Sequence, residues 1–118
     1  MNFDDAKRLA ASFPEVDEST SWGTPALKVR GKMFCRMWGP SEHRRDNVHD
    51  TEVLVVRCDI HWREALIEGS GGVLFATPHY DGYGAVLIRL ADVGEESLGG
   101  LLKEAYLLVA PASLRGAL

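Results

Sequence analysis

The chain has 118 residues, 46% of them hydrophobic and 25% charged, with 12 glycines and 5 prolines, a balance that excludes a disordered, collagen-like or repeat-array protein. Its 13 lysines and arginines against 17 aspartates and glutamates leave a net charge of −4, which excludes a whole-molecule positive field that would draw it onto nucleic acid or an anionic membrane. Scaling of surface with mass gives about 6,300 Å² folded against about 19,000 Å² unfolded, which suits one domain over residues 1–118 with one core. Cys35 and Cys58 stand 23 positions apart without CxxC spacing, so reduced, buried thiols are expected rather than a disulfide scaffold. The start Met1-Asn2-Phe3-Asp4-Asp5 puts acid where a signal peptide needs base, and the longest apolar run, Ala105 to Ala110, is far below the roughly 18 residues that span a bilayer. A cytoplasmic protein with no membrane partner is therefore expected.

In chain order, Phe3, Ala6, Leu9, Ala10 and Phe13 recur at helical spacing after Asn2 and before Pro14, which predicts a helix over about residues 3–13. Glu15 to Thr24 is polar and reads as a loop. Two strands follow, Pro25 to Val29 and Lys32 to Met37, joined at Arg30-Gly31 as a hairpin. Trp38-Gly39-Pro40 ends the second strand, and the charged stretch Ser41 to Asp50 reads as a mobile loop. Glu52 to Cys58 is short and β-branched, a buried strand. Asp59 then caps a helix over about residues 60–68, with Trp62, Ala65, Leu66 and Ile67 as its apolar side and Gly69 to Gly72 as its end. Val73 to Ala76 and Ala85 to Leu90 read as a long-looped strand pair, and Leu98, Leu101, Leu102, Ala105, Leu108 and Val109 predict a last amphipathic helix from Glu95 to Ala110. Short connections between the strands favour antiparallel neighbours. The expected fold is α+β, a two-layer sandwich of a mainly antiparallel sheet of about five strands with three helices.

The segments Phe13-Pro-Glu-Val-Asp-Glu18, Ser21-Trp-Gly-Thr-Pro25, Lys28-Val-Arg-Gly-Lys32, Thr77-Pro-His-Tyr80 and Ala105-Tyr-Leu-Leu-Val-Ala110, in this order and nearly end to end, resemble the MmcQ/YjbR family of small bacterial proteins. The resemblance implies a fold similar to CyaY and frataxin, with helices covering a sheet. It also implies DNA as the partner, with the hairpin as a wing, and no catalytic residues; a frataxin-like fold would suggest iron at an acidic first helix, but Asp4 and Asp5 are offset there by Lys7 and Arg8, so no cofactor is expected.

Lys28, Arg30, Lys32 and Arg36 place four positive charges in nine residues, and residues 26–45 carry a net charge of +5. Remote acid is screened beyond about 8 Å at physiological salt, so these four are the candidate phosphate contacts; solvated cations paired with Glu15, Asp17 or Glu18 are the plainer alternative. No helix presents the row of Arg, Asn or Gln that reads a major groove, so the contacts expected are to backbone. The alternative function is a protein or small-ligand interaction domain with a groove near Trp22, Thr24, His79 and Tyr80, where His79 can exchange a proton and Tyr80 or Tyr83 can stack on a ring. The histidines and cysteines show no metal-ligand spacing, and Gly69-Ser-Gly-Gly72 follows a helix and precedes a strand, the reverse of a phosphate loop. The chain is read as a non-enzymatic module holding no metal, with an enzyme using His79 as the third reading.

Overall fold

A computed structural model describes all 118 residues. Six strands form one antiparallel sheet in the order β1-β2-β3-β4-β6-β5: β1 Val16–Ser21, β2 Thr24–Val29, β3 Lys32–Met37, β4 Val53–Arg57, β5 Leu74–Phe75 and β6 Ala85–Arg89. The helices are α1 Phe3–Ala10, α2 Pro40–Asp46, α3 Ile60–Glu68, α4 Glu95–Val109 and α5 Ala112–Arg115, with a single 3₁₀ turn at Pro78–Tyr80. The α+β class and the antiparallel sheet are as expected, with one more strand and two more short helices than the sequence reading counted.

Strand β1 and helix α2 each have a physical reason. The presumed loop Glu15–Thr24 contains β1, paired in unbroken register from Val16 opposite Val29 to Ser21 opposite Thr24. As an edge strand it buries neither face fully, so no hydrophobic alternation marks it, and its Asp17 and Glu18 blunt the open edge. Both hairpin turns place two residues at positive φ, Trp22 and Gly23 (56° and 75°), then Arg30 and Gly31 (47° and 80°), the arrangement of tight two-residue hairpins. The presumed mobile loop Ser41–Asp50 holds α2, which buries no residue and so has no apolar stripe to read; Pro40 at its first position, Glu42 on the Gly39 N–H at 3.1 Å and left-handed Asn47 at its end define it instead. The first helix stops at Ala10 rather than about 13.

Between Leu27 and Lys28 the β2–β3 register shifts, because Met33 faces Lys28 and Cys35 faces Leu27, leaving Phe34 as an extra residue. This bulge turns Phe34 and Cys35 to the same side, into the main core with Leu27, Leu54, Ile88 and Tyr106 beneath the helices. There α4 lies over β3 and β4 and against α1, while α3 lies over β5 and β6. Its expected apolar side is corrected: Trp62 and Ala65 face water and Arg63 is buried. The opposite sheet face carries a smaller cluster, Trp38, Val53, Val55, Tyr80, Ala85 and Leu87, over which α2 and the 3₁₀ turn fold, leaving part of that face open. No helix is long and apolar enough to cross a membrane.

Candidate ligand groove

The open part of this second face is a groove of about 230 Å³. Strands supply its floor and one wall: Met33 and Arg36 from β3, Val55 from β4, and Trp22 from the β1–β2 turn. Glu42 and Arg45 of α2 form the second wall, and His79, Tyr80 and Tyr83 close it from the segment after β5. Lys28 lies directly across from Met33, and cross-strand partners point to the same side of a sheet, so its ammonium extends the groove face.

The walls are held by charge pairs. Arg36 grips Glu42 through two contacts of 2.8 and 2.7 Å and donates a third bond to the Met37 carbonyl at 3.2 Å. Burial alone would raise the Glu42 carboxyl, but bonds from Arg36 and the Gly39 N–H outweigh it and hold the group below its usual range. Asp46 is gripped by Arg45 at 3.0 and 2.8 Å, accepts the Thr77 hydroxyl at 2.8 Å, and lies 3.2 Å from His79 Nδ1. The Arg45 bonds, helped by Thr77, lower its carboxyl to about 2. Tyr80 accepts the Trp38 indole N–H at 2.9 Å, and burial, the larger influence, pushes its phenol up. Behind this wall the buried Arg63 of α3 donates to the carbonyls of Tyr80 and of Tyr83, the latter at 3.0 Å, fixing the loop that presents both rings.

Three of the four residues expected around a ligand therefore meet: Trp22, His79 and Tyr80 line one groove. Thr24 does not join them; it is buried and its hydroxyl donates to the Ser21 carbonyl at 2.9 Å, closing the turn that carries Trp22. The four hairpin cations are not brought together. Arg36 is bound to Glu42, Arg30 is matched by Glu15 at 3.2 and 3.0 Å, and Lys32, opposite Val29, points to the helix side while Lys28 points to the groove side. Lys28 and Lys32 are in no ion pair. Met33, Glu42, Arg45 and Val55 were missed as groove residues: the bulge beside Met33 and the helix that carries Glu42 and Arg45 leave no periodic trace, and Val55 reads only as part of a buried strand. No three His, Cys, Asp or Glu side chains come together as a metal site. Cys35 and Cys58 are free and buried, and burial pushes the Cys35 thiol up to about 12.

Comparison with known proteins places this architecture. A 50-residue stretch is 52% identical to the uncharacterized proteins Rv2570 of Mycobacterium tuberculosis and Mb2600 of Mycobacterium bovis, covering 42% of this chain and 39% of each relative; the chain thus matches about two fifths of the length of these curated relatives. Two crystal structures share the fold. Deinococcus radiodurans protein DR2400, described as a DUF419 domain, aligns over 98% of this chain and 86% of its own with TM-score 0.72 and 22% identity. A Pseudomonas syringae protein aligns over 93% and 100%, with TM-score 0.72 and 12% identity. The YjbR family model matches residues 11–108, and the chain belongs to the YjbR family.

Proposed function

We propose that residues 1–118 act as one non-enzymatic binding module, and that the groove takes single bases of a single-stranded nucleic acid. The observation that carries this reading is Trp22: the residue is 88% exposed on a tight turn with φ of 56° that borders the groove. An exposed indole on a fixed turn is a stacking platform, and base stacking on such a ring is worth about 1–3 kcal/mol per base. Half-exposed Tyr83 offers a second ring in the same groove.

Size and charge support the same ligand. A groove of about 230 Å³ is smaller than the roughly 300–1,000 Å³ that encloses a whole small-molecule ligand, so one ring enters and the rest of a polymer lies outside, beside Lys28. The arginines within it are already engaged by carboxylates, Arg36 by Glu42 and Arg45 by Asp46, which suits recognition better than proton transfer. Contact of the hairpin with duplex DNA phosphates is the second reading, favoured by the unpaired Lys28 and Lys32.

Fluorescence anisotropy of labelled single-stranded and duplex DNA separates the two. Single-strand binding should weaken by about 5- to 160-fold in Trp22→Ala, the worth of one stacked base. Equal affinity for duplex, unchanged in Trp22→Ala, would overturn the groove reading in favour of the hairpin; no binding to either by the folded protein would overturn both.

A further inference from the structure

On the helix-covered side, across the sheet from the groove, α3 and α4 rest on different strands and leave a channel between them. It consists of two cavities of about 750 and 340 Å³ that meet at Leu66, Leu101 and Glu104. The first reaches Glu96 near the start of α4, and the second reaches Leu108 near its end. At 1.5 Å per residue that run is about 18 Å long, the length of about three helical turns.

Two features of the channel point to a partner. Its apolar lining surfaces at the ends of the second cavity, where Trp62 is 66% and Leu108 45% exposed. Its charge is one-sided: Asp59, Asp92, Glu96 and Glu104 line it against the single cation Arg57, and none of these five is in an ion pair. Gly100 of α4 also borders it with open space where a side chain would stand, so a docked backbone can approach closely.

We propose that this channel docks a basic amphipathic helix of another protein, three turns long, with apolar anchors along the floor and lysines or arginines against the carboxylates. Helix-in-groove recognition uses such anchors at i, i+3, i+4 and i+7, and the acidic border selects the sign of the partner's polar face. A second copy of this chain does not supply that complement, because its cationic hairpin has Lys28, Arg30 and Lys32 around a buried Val29 and no exposed apolar anchor. An anionic membrane surface is repelled by the same carboxylates.

The test is a fluorescein-labelled helical peptide of about 14 residues with leucines at those anchor positions and lysines elsewhere, and its counterpart with glutamates for lysines, each titrated with the intact protein at about 150 mM salt. The lysine peptide should bind and the glutamate peptide should not. The Glu96→Lys/Glu104→Lys variant, its folding checked by thermal melting, should lose at least about tenfold in affinity, Trp62→Ala should also weaken binding, and Trp22→Ala should leave it unchanged. Equal binding of both peptides, undiminished binding to the charge-reversed variant, or no binding to the folded protein would each overturn the proposal. So would sedimentation showing that the channel is filled by self-association that the peptide cannot displace.

Discussion

Replacing Glu42 with glutamine takes the charge from one member of a pair that has little water around it. The Arg36 and Glu42 side chains are 10% and 15% exposed and joined by contacts of 2.8 and 2.7 Å. Removing one partner of a fully buried pair costs about 3–5 kcal/mol, because the survivor's charge is left in a poor solvent. This pair borders the groove on one side, and glutamine keeps an acceptor for the guanidinium, so the loss expected for Glu42→Gln is about 2–3 kcal/mol. At about 4 °C per kcal/mol for a chain of this length, the melting temperature should fall by about 8–12 °C. Urea denaturation of Arg36→Met, Glu42→Met and the double variant completes the cycle. The double variant, with neither charge of the pair left, should be more stable than the sum of the two single losses implies, by about 1.5 kcal/mol or more. Glu42→Gln within about 0.5 kcal/mol of the parent, or an additive cycle, would show that Arg36 is not committed to Glu42 and would restore it as a phosphate contact.

Two further outcomes follow from the placement of charge. Lys28 is the unpaired cation on the groove face, so single-strand affinity should fall only about 3-fold between 50 and 200 mM salt, from a slope near −0.7 for one phosphate contact. A four-cation wing on duplex would lose about 150-fold; Lys28→Ala should flatten the measured slope by about 0.7 while Lys32→Ala, on the helix side, leaves it unchanged. Asp46→Asn should cost about 1–2 kcal/mol at neutral pH by weakening the bonds from Arg45 and Thr77. Because the folded Asp46 carboxyl is depressed from 3.8 to about 2, its stabilisation is complete above the unfolded value and disappears as pH falls through the folded one. Acid melts should therefore show the gap between parent and variant closing across that interval.

What could be read from the sequence divides along the burial of each element. The β2–β3 hairpin, β4, α3 and α4 were legible because apolar residues recur at the period of a strand or helix, or because a cap such as Asp59, whose carboxylate takes the His61 N–H at 2.9 Å, marks the start. Strand β1 and helix α2 were not, since neither has a fully buried residue; their signals are the Trp22-Gly23 turn and the Pro40, Glu42 and Asn47 positions. The groove was half legible. Trp22, His79 and Tyr80 stand out as ring-bearing residues in loops, whereas the diversion of Arg36 to Glu42 depends on a helix brought back over the sheet. Lys32 looks like Lys28 in a charge count, and only the register separates the groove-facing cation from the helix-facing one.

The most direct measurement is a heteronuclear NMR titration of the intact protein with a short single-stranded oligonucleotide. The expected result is that the Trp22 indole N–H, the Met33 methyl and the Tyr83 ring resonances shift together and saturably, with the Trp62 indole unaffected. Shifts confined to Arg30 and Lys32 at the hairpin tip, or no shifts in any of these groups, would contradict the assignment of the groove as the binding site.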